Sequence, residues 1–166
     1  MASSAKFTAK AVVNQLRHIE RQIKNPGNKE IDLERVHMDY FLSPQRDISS
    51  YSYYKKRIEQ LYVYNRADVI YMVGWVITAP RDLPQNDEDN FFLECYRFLE
   101  QRYGEENVVS AVVHKDEEGQ PHLHFCFIPA VPDKKHGGEK LCVNEVLTPR
   151  EMNDFHPALQ KHLTEN

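Results

Sequence analysis

Two segments, Val108 to His114 and His122 to Ile128, are rich in β-branched and aromatic residues, and between them lies the polar stretch Lys115 to Pro121 with Gly119 inside it. This pattern predicts two strands joined as an antiparallel hairpin. Strand side chains alternate, so His122 and His124 project from one face while Leu123, Phe125 and Phe127 project from the other. With Val109, Ala111 and Val113 assigned to the core face, His114 falls on the opposite face, across from His122 at the turn end. Three imidazoles therefore converge. Neutral imidazole suits manganese, iron, cobalt, nickel, copper or zinc better than magnesium, and three protein ligands leave positions open for water or substrate. Asp116 and Glu117 stand where they could orient a ligand or take a further coordination position.

The rest of the chain reads as helices and strands around that hairpin, an α+β composition. Val12, Val13, Leu16, Ile19 and Ile23 recur at helical spacing and predict a helix over Lys10 to Lys24, ended by Asn25-Pro26-Gly27-Asn28. Val36 to Leu42 reads as a strand, and Ser49-Ser50 cap a helix with Tyr54, Ile58 and Leu61 on one face. Val69 to Thr78 is a near-continuous apolar strand suited to a sheet interior. Asn86 or Asp87 then caps a helix with Phe91, Phe92, Cys95, Phe98 and Leu99 in its stripe and Gly104 at its C-terminal cap. Pro129 to Gly138 reads as a loop. Thr148-Pro149-Arg150-Glu151 forms a capping box for a last helix, still running near Asn166, so the natural chain is expected to continue beyond that end.

A chain of 166 residues is one domain's worth. Cys95, Cys126 and Cys142 are odd in number and widely spaced, which argues against a disulfide framework or a thiolate zinc site. No apolar run approaches a membrane span and the N-terminus lacks a secretion signal, so a cytoplasmic address is expected. Charge is unevenly spread: the overall −4 divides into a net +5 for residues 1 to 66 and −9 for the remainder. The N-terminal part can therefore meet phosphate. Within it, Tyr51-Ser-Tyr-Tyr-Lys-Lys-Arg57, followed by Tyr62, Tyr64 and Arg66, interleaves aromatic and basic groups as a single-strand DNA surface does. Tyr54 is core-spaced, which leaves Lys55, Lys56 and Arg57 as the candidate DNA contacts. His136, His156 and His162 have no partners at ligand spacing and read as surface residues.

The segment His114-Lys-Asp-Glu-Glu-Gly-Gln-Pro-His-Leu-His124, running on to Ile128-Pro129, resembles the HxDExxPHxH motif and following hydrophobic-Pro of the MobV/Pre family of plasmid mobilization and recombination relaxases. His18-Ile-Glu-Arg21 is similar to that family's HNxR, and Arg35-Val-His-Met-Asp-Tyr40 to its SHxNY segment. Three residues rather than two separate Glu117 from Pro121, Ile19 replaces the usual Asn, and Asp39 stands where Asn is common. The resemblance implies an HUH-type fold, an antiparallel sheet flanked by helices with the metal histidines on a central strand. It also implies a single relaxase domain over 1–166 that nicks one strand at an origin of transfer and stays on the 5′ phosphate, for bacterial plasmid mobilization or recombination.

On that reading His114, His122 and His124 hold a divalent ion, Mn²⁺ before Mg²⁺. His18 is the nucleophile, giving a phosphohistidine, with Tyr40 as the alternative. Glu117 is a metal ligand or proton acceptor, and Arg21, Arg35, Lys55, Lys56 and Arg57 contact origin DNA, single-stranded or hairpin. A C-terminal region outside these residues is expected to mediate any self-association. The competing expectation is a module of the same fold that binds origin DNA, represses its own promoter and does not cut, its metal being structural.

Overall fold

The computed structural model describes every residue except Lys24, Asn25, Pro26 and Asn28. In chain order the elements are β1 (Ala2–Thr8), α1 (Ala9–Ile19), β2 (Tyr40–Phe41), α2 (Ser50–Glu59), β3 (Leu61–Tyr62), β4 (Ile70–Thr78) and α3 (Glu88–Tyr103). There follow β5 (Val108–His114), β6 (His122–Phe127), β7 (Ala130–Pro132), β8 (Glu139–Leu141), α4 (Val143–Val146) and α5 (Pro149–Glu165). The main sheet is antiparallel, in the order β1-β4-β6-β5-β2, so the histidine strands β6 and β5 lie inside it. A small second sheet has the order β3-β8-β7. The expected α+β architecture, with the metal histidines on a central hairpin, is present.

The two faces of the main sheet are buried against different helices. On one face Trp75, Ile77, Ala111, Val113, Leu123, Phe125 and Phe127 pack with Phe92, Cys95 and Leu99 of α3 and Phe155 of α5. Trp75 stacks on Phe155 with ring centroids 3.7 Å apart, and its indole N–H donates to the Tyr103 hydroxyl at 3.1 Å. On the other face Val12, Leu16 and Ile19 of α1 and Tyr54 of α2 cover Met72, Cys126 and Ile128. Residues of α1 four and three apart supply this contact, as an amphipathic helix requires. Helix α1 stops at Ile19, and the histidines occupy the part of the face beyond its end.

Local sequence explains most boundaries. The Ser49 hydroxyl accepts from the Ser52 amide at 3.1 Å at the start of α2, and Thr148 does the same for Glu151 at 3.1 Å ahead of Pro149 in α5. Glycine is required at 104, where φ is +93° and ψ is 130°. That φ is positive, but the ψ lies outside the left-handed helical cap expected from the sequence.

Several expectations are corrected. Residues 2–8, to which the sequence pattern assigns no strand, form a full strand against β4. The first helix ends at Ile19 instead of Lys24, because Arg21 takes a left-handed backbone with φ +53°, and Ile23 is consequently 40% exposed. Of the predicted stop Asn25-Pro26-Gly27-Asn28, all but Gly27 lies outside the described residues. The strand expected over Val36 to Leu42 is a 3₁₀ turn, Val36–Met38, followed by the two residues of β2. The loop expected over Pro129 to Gly138 contains β7. Finally, a bulge between Val108 and Ser110 turns Val109 away from Ala111 and Val113 onto the α1 face.

Candidate functional site

His114 and His122 are direct cross-strand partners, and His124 pairs with Val112, so all three rings share one face of the sheet. Their ring centroids are 4.5 to 5.4 Å apart. One nitrogen from each lies within 4.8 Å of one nitrogen from each of the others, which is the spacing of groups able to share one ion. Desolvation holds two of them neutral: burial drives the pKa of His114 down to about 4 and that of His124 well below its ordinary value, with neighbouring histidines adding to both. Neutral, clustered imidazoles are the donor set that a first-row divalent transition metal takes, so the residues fit such an ion.

The surroundings fix how His114 is presented. Its Nε2–H donates to the carbonyl of Ile19 at 2.7 Å, which leaves Nδ1 as the nitrogen with a lone pair. Nδ1 lies 3.0 Å from Arg21 Nη2 and 3.8 Å from Glu117 Oε1. The other Glu117 oxygen is 3.7 Å from His122 Nε2, so this carboxylate stands beside two of the three rings. The hairpin turn that carries it reverses through Gly119 at φ +109°, a conformation that accommodates the longer spacing between Glu117 and Pro121.

Arg21 organises the acids. Its Nε and Nη2 donate to the two oxygens of Asp116 at 2.7 and 2.6 Å, Nη2 also reaches Glu117 at 2.8 Å, and Nη1 donates to the His18 carbonyl at 3.2 Å. The expectation that Arg21 contacts DNA therefore meets a side chain only 10% exposed, with its donors committed to the protein. Asp116, fully buried, serves Arg21, and it forms with His114 and Glu117 a second group whose ligand atoms lie within 4.8 Å of one another.

His18 lies on the last turn of α1, half-buried, and near enough to His124 for its charge to disfavour protonation there. Tyr40 is elsewhere. It pairs with Val113, and both pack on the α3 face, opposite the histidines. Its hydroxyl donates to Asp89 at 3.0 Å, and burial together with that carboxylate raises its pKa, so the phenolate is disfavoured.

The other predicted contacts divide. Lys55 and Lys56 are exposed, and Arg35 is exposed with its guanidinium donating to the Lys115 carbonyl. Arg57 is corrected: it is 6% exposed and bonds Asn107, Gln60 and Glu139, because on α2 it lies three residues from Tyr54 and turns inward with it. His136, His156 and His162 each have a local partner, in Asp133, the Ala2 carbonyl and Glu94. Sequence reasoning missed the Ile19 carbonyl and the depth of Asp39. Asp39 accepts from the Lys115 amide at 2.7 Å while its Oδ2 is buried without a hydrogen bond.

Known proteins share this fold. The model of the Mob/Pre family, plasmid recombination enzymes, matches residues 1–166. A plasmid recombination enzyme type 1 of Staphylococcus aureus is 34% identical over 128 residues, 70% of this chain and 30% of that protein. A plasmid recombination enzyme of Lactiplantibacillus plantarum is 28% identical over the full chain and 46% of its own length. The chain thus spans about a third to a half of these relatives. Among solved structures, the relaxase domain of MobM, in a manganese-bound crystal with plasmid oriT DNA, matches with a TM-score of 0.82 at 26% identity, over 99% of this chain and 85% of that one. No helix among the described residues is long and apolar enough to cross a membrane.

Proposed function

This chain belongs to the plasmid recombination enzyme family, and on that premise we propose that residues 1–166 form one relaxase unit that nicks a single DNA strand at an origin of transfer by transesterification. The observation that carries the reading is the clustering of His114, His122 and His124 on one sheet face beside the end of α1, with His114 and His124 held neutral by burial. His114, His122 and His124 would hold Mn²⁺, the ion named for the MobM crystal. Such an ion supplies a positive charge against the nonbridging oxygens of the scissile phosphate, where negative charge develops.

The protein's own groups do the rest. A His18 ring nitrogen attacks phosphorus, the bond from phosphorus to the 3′ oxygen breaks, and the 3′ oxygen leaves as a hydroxyl, gaining one proton for the one that the His18 ring gives up to Glu117. The 5′ phosphate remains on His18 as a phosphoramidate, which a later 3′ hydroxyl can attack in reverse to reseal the strand without a nucleotide. What supports His18 over Tyr40 is its nearness to His124, against a Tyr40 hydroxyl committed to Asp89 on the opposite face. What supports Glu117 as the acceptor of the His18 proton is its carboxylate beside His114 and His122. Exposed Lys55, Lys56 and Arg35 offer phosphate contacts, while Arg21 positions Asp116 and Glu117. Such a reaction belongs to the bacterial cytoplasm, where plasmid DNA is found.

The test is incubation with DNA from upstream of the gene on its native element, with Mn²⁺ or EDTA, resolved under denaturing conditions. Peptide mass spectrometry then locates the linked residue. A Mn²⁺-dependent adduct on the His18 peptide is the expected result; an adduct on Tyr40 overturns the nucleophile. Binding without cleavage, on supercoiled and single-stranded forms alike, overturns the enzyme reading in favour of a recognition module.

A further inference from the structure

Phe41 is an aromatic residue left 55% exposed on the edge strand β2. It pairs with Val112, and Val112 pairs with His124, so the three lie in one row across the histidine face. Two strand spacings, roughly 10 Å, separate Phe41 from His124. Next to Phe41 is a cavity of about 380 Å³, lined also by Glu20, Ser43, Pro44, Gln45, Arg46 and Ser50. Glu20 is the second residue after His18, so the cavity adjoins the end of α1.

The walls are preorganised. Arg46 donates to the Val109 and Val108 carbonyls at 3.0 and 2.8 Å and lies 3.6 Å over the Tyr53 ring. The Glu20 carboxylate accepts from Ser110 at 2.7 Å, from Gln22 at 2.9 Å and from Ser50. A fixed carboxylate repels phosphate and accepts N–H donors, while the exposed ring offers a stacking surface. Gln45 is exposed, and its amide makes no hydrogen bond among the described residues, leaving a donor and an acceptor at the rim.

We propose that this cavity is a nucleobase subsite: one base of the single-stranded DNA, close to the scissile phosphate, stacks on Phe41 with its polar edge toward Gln45 and Glu20. The inference rests on the nicking reading and deepens it. A planar base with exocyclic N–H groups satisfies the ring, the amide and the carboxylate together, whereas a phosphate can take only the amide donor, is repelled by the carboxylate and does not stack.

The probes are single-stranded oligo-dA, oligo-dC and oligo-dT, titrated by fluorescence anisotropy across a salt series into wild type, Phe41→Ala, Phe41→Tyr and Gln45→Ala. Loss of one stacking contact should weaken binding about 5- to 150-fold in Phe41→Ala. Its salt slope should match wild type, since no phosphate contact is removed, and Phe41→Tyr should retain wild-type affinity. Gln45→Ala should narrow the spread among the three probes. Phe41→Ala binding as tightly as wild type, or a loss accompanied by a shallower salt slope, overturns the subsite. Thermal melting of the same variants separates unfolding from lost stacking, and a Phe41→Tyr that melts as wild type but binds like Phe41→Ala also overturns it. A wild-type protein that binds none of the three probes removes the DNA reading and the subsite together. One that binds and nicks while Phe41→Ala is silent removes only the subsite.

Discussion

Arg21 holds Asp116 by both nitrogens of its fork, Nε on one carboxylate oxygen at 2.7 Å and Nη2 on the other at 2.6 Å, with Asp116 fully buried. The pair joins the end of α1 to the turn that follows β5, and Arg21 Nη2 touches His114 Nδ1 as well. Removing the arginine strands a buried carboxylate, so Arg21→Ala should cost about 3–5 kcal/mol of stability. Arg21→Lys keeps the charge but loses the two-point fit, and should cost less while still lowering Mn²⁺ affinity about 10- to 100-fold. Calorimetric titration with Mn²⁺, alongside denaturant melts, checks both; a lysine variant equal to wild type in each would show that the pair does not organise the site.

The Tyr40 hydroxyl bonds Asp89 on the face opposite the histidines, and Asp89 is held below its usual carboxylate range by that bond and by Lys115. Tyr40→Phe should therefore lose about 1 kcal/mol of stability and leave Mn²⁺-dependent nicking within a few-fold of wild type. His18→Ala should abolish the covalent adduct and leave the melting midpoint near wild type, because that side chain is half-buried and has no hydrogen bond among the described residues. An adduct that disappears in Tyr40→Phe and persists in His18→Ala would reverse the assignment.

Three consecutive basic residues, Lys55, Lys56 and Arg57, should separate cleanly by experiment. Arg57 is buried on Asn107 and paired with Glu139 at 2.8 Å, and Arg57→Ala should cost about 3 kcal/mol through the unpaired groups it leaves. Lys55→Ala and Lys56→Ala should change stability by less than about 0.5 kcal/mol. Each lysine that contacts phosphate should instead lower the slope of log affinity against log salt by about 1. Melts and salt-series binding on the three single variants distinguish the roles.

What the sequence discloses here follows from periodicity. The hairpin alternation that put His114, His122 and His124 on one face depends only on strand period and register, and both survive in the structure. The buried stripe of α3 and the Thr148 cap of α5 are equally local. The failures are long-range. Strand β1 has a polar, weakly alternating sequence and exists through its pairing with β4. The inward turn of Arg57 is decided by Asn107, fifty residues away, and the commitment of Arg21 by Asp116, ninety-five away, so neither could be seen in a basic run. The burial of Asp39 was hidden for the same reason: nothing nearby in sequence reveals that its carboxyl is enclosed by the Lys115 amide, Asp116 and Arg21.

That enclosure gives Asp39 a pH dependence of definite sign. Desolvation, with the Asp116 charge adding to it, raises its pKa to about 6, against the Lys115 amide at 2.7 Å and Arg21 Nε at 3.6 Å, which pull it down. A raised carboxyl binds its proton more tightly folded than unfolded. Its favourable contribution is therefore fully present below the ordinary carboxylate range near 4, and is lost as pH rises through about 6. Asp39→Asn replaces the carboxyl with a neutral group of the same shape that can still accept from Lys115. The variant should gain on wild type as pH climbs from about 4 to about 6, by about 1–3 kcal/mol, and hold a constant advantage above that. Thermal melts of both proteins across this range, in EDTA so that no metal intervenes, give the difference directly, with other titrations cancelling. An advantage that shrinks with rising pH would mean that the Arg21 attraction outweighs burial at Asp39, and that this carboxylate joins Asp116 in the ion pair with Arg21.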